Sequence, residues 1–402
     1  MDYDEKLDNC EVRLAMKQYR ICDVVLNSVW YDPRVRRQTV SYCNDKEILF
    51  SCVGLKCQRY DKEKVSKLPF ENTIVEIDPK YDGKQHSIIK KMIREIKKNS
   101  GIYKAILNYN PQLIHANDLN ALIPSFLAAK KLHCKLVYDS HEINTENYQK
   151  RAFLSKVLRV LEKYITKKVD LMICVSNAAA QYFSDQYKIQ KPFVVTNSAL
   201  KEDIRKRNPQ NKQEFIVLNH GQFYSGRGYD IMIDSCKYLQ DYPEVKLALR
   251  GFGALEEQLK SQKEKIDNNN QVLFYPPVTI QELIPLATES DVGVAITEPI
   301  CLNFQLSVSN KLFEYAAAGL PVIMSDIPEH RYLNEKYNFG IILEKNTSEE
   351  FAKAVKLLYL DKGLYKNLSS NSEKMIRELN WDVQFDQLLK REKEMIEGSG
   401  KC

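Results

Sequence analysis

Residues 303–326 read Asn303-Phe-Gln-Leu-Ser-Val-Ser-Asn-Lys-Leu-Phe-Glu-Tyr-Ala-Ala-Ala-Gly-Leu-Pro-Val-Ile-Met-Ser-Asp326. The polar start offers Ser307 or Ser309 as an N-cap, the middle has helical character, and Gly319-Leu320-Pro321 ends the helix before a buried strand, Val322 to Met324. The stretch therefore lays open a helix N-terminus, with Lys311 in the first turn and Glu314 one turn on. Free backbone N–H groups, the positive end of the helix dipole and a cation converge where an anionic group can sit. Glu314 is placed to accept hydrogen bonds from a sugar hydroxyl.

Working outward, the same strand-then-helix rhythm recurs along the chain. After a polar stretch at 199–213 that reads as a linker, Phe215 to Asn219 is a strand that runs into His220-Gly221-Gln222-Phe223-Tyr224-Ser225-Gly226-Arg227-Gly228. Val245 to Leu249 is the next, ending at Arg250-Gly251-Phe252-Gly253, where glycines allow close backbone approach. Val272 to Tyr275 and Val292 to Ile296 follow. With Arg227 and Lys311 as cations, two glycine-bearing loops and one helix N-terminus around a single sheet edge describe a diphosphate site. Neither G-x-G-x-x-G nor G-x-x-x-x-G-K-[ST] occurs, which argues against a dehydrogenase or a P-loop NTPase.

Before the linker, Cys22 to Val29, Ile48 to Leu55, Ile74 to Ile77, Leu113 to Asp118, Lys135 to Tyr138, Leu171 to Val175 and Phe193 to Thr196 read as strands. Asp32 caps a helix that has Pro33 in its first turn. Gln85 to Asn99 and Arg151 to Lys168 read as helices, the first basic and amphipathic enough to lie on anionic lipid. Strands that end in polar clusters, Asn117-Asp118 and Asp139-Ser140-His141-Glu142, describe a parallel sheet with a site at its carboxyl edge. The α/β pattern thus divides into a first domain at 1–198, a linker at 199–213, a second domain at 214–380 and a C-terminal helical segment at 381–402.

Composition agrees with a globular protein. The chain has 402 residues, 44% hydrophobic and 28% charged. No apolar run reaches membrane-spanning length, and the acidic start lacks the basic and apolar regions of a signal peptide, so the sequence predicts a cytoplasmic chain. Ten cysteines are scattered without a Cys-x-x-Cys pair and read as free thiols, and six dispersed histidines do not suggest zinc. The net charge of +6 is unevenly spread: residues 1–200 carry 33 Lys+Arg against 23 Asp+Glu, a surplus of +10, which leaves −4 for the rest. The basic half suits an anionic membrane surface or an anionic acceptor, and no nucleic-acid-binding motif accompanies it.

The order Asp-Pro-Arg-Val-Arg (32–36), Val-Tyr-Asp-Ser-His-Glu (137–142), Cys-Val-Ser-Asn (174–177), Gly-x5-Arg-Gly (221–228) and Asn-Lys-Leu-Phe-Glu-Tyr-Ala-Ala-Ala-Gly-Leu-Pro-Val-Ile (310–323) resembles the bacterial retaining glycosyltransferases of the GT-B fold, family 4-like, that build cell-surface polysaccharides. The resemblance runs from about Val24 to Leu389. It implies two Rossmann-like parallel-sheet domains facing a cleft, a nucleotide-diphosphate-sugar donor held mainly by the second, and a last helix that crosses back to the first. By position, Glu314 resembles the glutamate that holds the donor ribose, Arg227 the cation at the diphosphate, and His141 the histidine near the reacting centre.

The resulting candidates are His141, Arg227 and Lys311 for catalysis. Gly221, Gln222, Arg227, Gly228, Arg250, Gly251, Asn303, Ser307, Ser309, Asn310, Lys311 and Glu314 are candidates for the donor, and Asp32, Arg34, Asp118 and Glu142 for the acceptor side. No cofactor and no metal are expected. The only Asp-x-Asp, Asp2-Tyr3-Asp4, precedes the first strand. Two positions depart from the family pattern: Gln222 stands where many members have arginine, and Leu306 where many have a second glutamate. An epimerase or hydrolase of the same fold, drawing on Glu142, Asp118 and Glu298, and a non-catalytic partner subunit are the alternative readings.

Overall fold

The structure is a computed structural model that describes residues 18–29, 32–56, 74–77, 88–143, 152–207 and 213–398. Trp30, Tyr31, the Asp2-Tyr3-Asp4 triplet, Arg151 and the first three residues of the expected 85–99 helix lie outside them. The chain divides into two compact units. Unit 1 comprises residues up to Cys174, 183–193 and from Phe385 on; unit 2 comprises 175–182 and 194–384.

Unit 1 holds β1 (Tyr19–Val25), α1 (Pro33–Asn44), β2 (Ile48–Leu55), β3 (Ile74–Ile77), α2 (Ile88–Tyr109), β4 (Leu113–Asn117), α3 (Asp118–Leu132), β5 (Lys135–Ser140), α4 (Ala152–Thr166) and β6 (Leu171–Cys174). Next come α5 (Asn177–Tyr187) and β7 (Phe193–Val194), through which the unit boundary passes. The sheet order is β3-β2-β1-β4-β5-β6-β7, and the pairs from β3 to β6 are parallel. A parallel strand covered on both faces must be apolar throughout, and β4 is buried at all five positions. The connections through α2, α3 and α4 all step the same way across the sheet, so right-handed crossovers lay these three helices on one face. The order reverses between β1 and β4, which opens a crevice at their carboxyl ends, where Asn117 and Asp118 stand.

Local rules set the helix starts. Asp32 caps α1 as expected, accepting from the N–H groups of Arg34 (3.0 Å) and Val35 (3.1 Å). Helix α2 runs ten residues past the expected stop at Asn99, through Gly101. A Cβ on Gly101 would come 3.0 Å from Ile77 Cγ2, so this glycine serves close helix-to-strand packing rather than termination.

Unit 2 holds β8 (Phe215–Gln222), α6 (Tyr229–Asp234), β9 (Val245–Phe252), α7 (Glu256–Ile266), β10 (Val272–Tyr275), α8 (Ile280–Ala287), β11 (Val292–Ala295), α9 (Leu302–Leu306), α10 (Asn310–Ala317) and β12 (Val322–Ser325). It continues with α11 (Pro328–Tyr337), β13 (Gly340–Leu343), α12 (Ser348–Leu360) and α13 (Lys362–Leu379). The last helix, α14 (Trp381–Gly398), belongs to unit 1 from Phe385 on. The six-stranded sheet is parallel throughout, in the order β10-β9-β8-β11-β12-β13, with its switch point between β8 and β11. Helix α10 stops as the sequence implies, with Gly319 at φ +72 just past it and the fully buried β12 behind Pro321.

Strands β8 and β9 run three residues beyond their expected ends, carrying Gly221 and Gly251 into register. Gly251 sits at φ +149, and a Cβ there would lie 1.8 Å from the Gly221 carbonyl oxygen. Gly251→Ala should therefore destabilise unit 2 by about 2 kcal/mol or more, whereas Gly398→Ala, with nothing within 4 Å, should be near neutral; urea unfolding of both variants tests this.

Candidate functional site

In unit 2 the expected residues gather at the carboxyl ends of β8 and β11. Helix α10 begins after Ser309, whose backbone is extended but whose side chain makes no capping hydrogen bond. Lys311 points from the first turn toward β8. Its ammonium donates to Asn219 Oδ1 (2.7 Å), lies 3.5 Å from the Tyr229 hydroxyl and sits 5.1 Å from that ring's centre. Gly221 makes room for the lysine stem, since a Cβ there would meet Lys311 Cε at 3.2 Å.

Arg227 lies on the loop between β8 and α6. Its carbonyl accepts from Asn219 Nδ2 (3.2 Å), and its guanidinium stacks 4.3 Å from the centre of the Phe304 ring. Phe304 belongs to α9, a five-residue helix too short to show periodicity in the sequence. It brings Asn303 and Ser307 into the same neighbourhood. Gly228 takes φ +72 beneath Ile296, where a Cβ would be 2.5 Å from the isoleucine Cβ. Arg250 stacks 4.9 Å from the Tyr275 ring, with its Nε buried and lacking a hydrogen-bond partner. Gln222 is exposed at the end of β8.

Glu314, one turn along α10, accepts from His220 Nε2 at 2.7 Å. His220 is buried, receives support from the Tyr315 hydroxyl on its backbone N–H (3.0 Å), and leaves Nδ1 without a partner. Sequence reasoning did not assign His220, Asn219, Tyr229 or Tyr315 to the site. The one available signal was that Asn219 and His220 end a strand directly before a glycine loop.

Burial and the neighbouring Arg227 charge push the Lys311 ammonium down to about 7, with Glu314 pulling weakly the other way. Burial likewise lowers Arg227 from its ordinary value. Two cations held close together with few anions around them form a site that an anion completes.

In unit 1 the sequence candidates fall on a buried polar cluster. Arg34 is almost fully buried and grips Asp139 with both Nε (2.8 Å) and Nη2 (3.0 Å). Its guanidinium is thus committed to an internal partner. Gln38 Nε2 donates to the same carboxylate (2.8 Å), and His115 Nε2 approaches it at 3.4 Å. His115 Nδ1 meets Glu392 of α14 at 3.1 Å, and the Tyr42 hydroxyl donates to Glu392 at 2.7 Å.

His141 sits at the edge of this cluster. Its backbone N–H donates to Asp118 Oδ1 (3.0 Å), its Nδ1 lies 3.4 Å from Asp118 Oδ2, and its Nε2 faces Asn117 Oδ1 at 3.0 Å and Asp139 Oδ2 at 3.7 Å. Asp118 itself adopts φ +63, unusual for a non-glycine residue. Asp32 remains the helix cap, and the Glu142 side chain is exposed while its carbonyl accepts from Ser140 Oγ (2.8 Å).

Burial alone would lower His115; its hydrogen bonds to Asp139 and Glu392 override this and carry it up to about 10. Burial would also depress His141, and the Asp118 and Asp139 carboxylates raise it instead. Burial would raise Asp139, yet Arg34 and the two histidines hold it well below the usual carboxylate range. Nearby, burial lifts Asp23 to about 7 despite His115 and a hydrogen bond from Asn117. Among the described residues no group of His, Cys, Asp and Glu could hold a metal ion.

Comparison with known proteins agrees with this geometry. Residues 201–375 match the family model of glycosyl transferases group 1, and residues 68–198 match that of glycosyltransferase family 4. The chain thus carries a family 4 glycosyltransferase domain followed by a group 1 domain, on two Rossmann-like parallel sheets in the manner of GT-B glycosyltransferases. An uncharacterised glycosyltransferase from Haemophilus influenzae is 24% identical over 235 residues, which cover 57% of this chain and 63% of that protein. The curated relatives are matched over 43 to 63% of their own length.

Among solved structures, a glycosyltransferase from Rickettsia africae superimposes with a TM-score of 0.73 at 17% identity, covering 94% of this chain and 99% of that one. Anabaena HepE, solved in complex with UDP and glucose, gives 0.68 at 16% identity, covering 93% and 99%.

The buried cluster carries its own prediction. Because His115 is raised from 6.5 to about 10 by folding, its stabilisation is complete below pH 6.5 and is lost as pH rises to about 10. Denaturant unfolding of the wild type should show stability falling across that window, and His115→Gln and Glu392→Gln should both lower stability near neutral pH and flatten the fall.

Proposed function

We propose that this protein is a retaining glycosyltransferase that moves a hexosyl or N-acetylhexosaminyl group from a nucleotide-diphosphate-sugar to a lipid-linked or saccharide acceptor in cell-surface polysaccharide synthesis. The observation that carries the reading is the convergence of Lys311, Arg227 and the uncapped start of α10 on the carboxyl edge of the unit 2 sheet. Three sources of positive potential around glycine-lined backbone suit a diphosphate. HepE, with the same fold, was crystallised with UDP and with UDP-glucose, which supports a nucleotide-sugar donor here.

In this reading Glu314 takes the ribose hydroxyls, with His220 orienting its carboxylate. Arg227 and Lys311 take the diphosphate, joined by Arg250. Gly221, Gly228 and Gly251 let the backbone approach, while Asn303, Ser307, Ser309, Asn310 and Gln222 are left for the sugar and the outer phosphate. Asp32, Arg34, Asp118 and Glu142 stay on the acceptor side, Arg34 and Asp118 acting through the cluster that holds His141.

The acceptor hydroxyl oxygen attacks the anomeric carbon on the face from which the diphosphate leaves. The bond from that carbon to the diphosphate oxygen breaks, and the leaving phosphate takes up the hydroxyl proton, so configuration is retained. The chain's own contribution is to stabilise the charge growing on the diphosphate through Arg227, Lys311 and the α10 dipole, without a metal. His141, whose proton affinity the Asp118 and Asp139 carboxylates raise against burial, is assigned to the reacting centre. In this reading the enzyme works in the cytoplasm, peripheral to the inner face of the membrane. No helix among the described residues is long and apolar enough to cross a membrane.

Isothermal titration with UDP, GDP and other nucleoside diphosphates tests the donor site. Glu314→Ala and Arg227→Ala should each weaken the best nucleotide by roughly tenfold or more, the scale of a lost charged hydrogen bond; unchanged affinity in folded variants would overturn the assignment.

Lys311 gives an independent signature. At pH 8 it is mostly neutral, and a diphosphate beside it raises its proton affinity, so binding should draw in a proton. Titrations in buffers of different ionisation enthalpy should show net uptake at pH 8, absent in Lys311→Met.

A further inference from the structure

The surplus positive charge of residues 1–200 needs a place, and helix α4 (Ala152–Thr166) offers one. At about 100° per residue its described positions divide into three arcs. Ser155, Glu162, Ile165 and Thr166 face inward and are buried. Lys156, Arg159 and Lys163 lie on a second arc, with Lys167 and Lys168 continuing beyond the helix end.

The third arc is apolar and faces outward: Val157, Val160 and Tyr164, spaced i, i+3 and i+7, are 46%, 70% and 51% exposed. Among residues 155–168 the sole acid is the buried Glu162, which accepts from the Tyr138 and Tyr187 hydroxyls, so the exposed arcs of this stretch carry cations and no acid; the Lys163 ammonium donates to the Gln186 carbonyl (2.8 Å). The neighbouring helices of the same layer each leave a large apolar side chain in solvent, Leu127 on α3 and Ile96 on α2.

An apolar stripe bordered by cations can meet lipid or protein, and the residue types decide. Interfaces between proteins are depleted in lysine, whereas four of the five cations here are lysines, whose long stems let an ammonium reach headgroups while the stripe beside it sinks into the acyl boundary. Lys168 already folds over the Tyr164 ring, 4.6 Å from its centre, an arrangement suited to the boundary between water and hydrocarbon. The stripe is also the outer face of a single helix, with Val160 as its most exposed residue, and a planar surface can reach it without a matching groove.

We propose that the outer face of α4 is a docking surface for anionic lipid, with Val157, Val160 and Tyr164 entering the interface and the exposed Lys156, Lys167 and Lys168 pairing with headgroups. The inference rests on the peripheral location proposed above and names the surface that carries it. It narrows that contact from the basic first half of the chain, within which the sequence offered the 85–99 helix, to α4. In α2 the exposed Ile93 and Ile96 flank an exposed acid, Glu95.

The test is co-sedimentation of the full chain with vesicles of phosphatidylglycerol mixed with phosphatidylcholine, against vesicles of phosphatidylcholine alone. The wild type should bind the anionic vesicles and lose binding as salt is raised. Val160→Glu, at an exposed position, and the double variant Lys156→Glu/Lys167→Glu should each weaken binding at least roughly tenfold. Nucleotide affinity measured on the same preparations should be unchanged, which separates this outcome from a failure of the donor site or of folding.

Anionic-vesicle binding that survives both variants would keep the peripheral location and overturn the α4 assignment. No vesicle binding by the wild type, or equal binding to phosphatidylcholine alone, would overturn both. A wild-type dimer in sedimentation velocity that Val160→Glu dissociates would show that a second copy covers this face, and would equally overturn the proposal.

Discussion

A carboxylate removed from water must be surrounded by donors, because the unpaired ion would cost several kcal/mol. Asp139 meets this requirement with Arg34 and Gln38 from α1, His115 from β4, and His141 just past the end of its own strand. His115 in turn needs a second acceptor for its other nitrogen, and Glu392 on α14 supplies it. One desolvated charge therefore fixes the first turn of α1, the carboxyl end of the sheet and the last helix of the chain relative to one another within unit 1. The Asp32-Pro33 cap sets the start of α1 locally, and it places Arg34 in the first turn, from which it reaches Asp139.

Unit 2 is built on the opposite imbalance. Asp139 gathers more donors than its charge requires, whereas Lys311 and Arg227 are packed against an amide, a hydroxyl and two aromatic faces. The nearest carboxylate on the same helix, Glu314, is engaged with His220. Lys311 answers by losing proton affinity, which is how a protein tolerates a cation it does not neutralise. In the proposed donor site the lysine can shed its proton when no ligand is bound and recover it when a diphosphate arrives.

What could be read from the sequence was what local chemistry dictates. The Asp32-Pro33 cap, the Gly319-Leu320-Pro321 stop and the buried strands follow from neighbouring residues alone. The positions of Lys311 and Glu314 on an open helix start were legible for the same reason. His115 and Glu392 were not, because they meet across 277 residues and neither carries a local signature of the other. His220 is an intermediate case: it is marked by standing before Gly221, yet its partner Glu314 is 94 residues away. Gly101 shows how a local rule can mislead. A glycine after Asn99-Ser100 reads as a helix end, but the contact with Ile77 that requires it is tertiary.

The charge asymmetry of the chain can now be traced to its location. In the unit 1 cluster Arg34, His115 and His141 face Asp139, Glu392 and Asp118, a near-balanced set, with Asp23 lifted to about 7 beside them. Burial in low dielectric enforces that balance, since each unmatched ion would be expelled or neutralised. The surplus of +10 over residues 1–200 therefore cannot reside in the interior and must lie on outer faces, of which α4 is one that carries no exposed acid of its own. Residues 201–402 reverse the arrangement, with a net −4 overall and uncompensated cations held inward at Lys311 and Arg227. The two halves thus place positive potential differently. In the first it is spread over a surface, as the proposed contact with an extended anionic partner requires; in the second it is concentrated at one sheet edge, as the proposed diphosphate site requires.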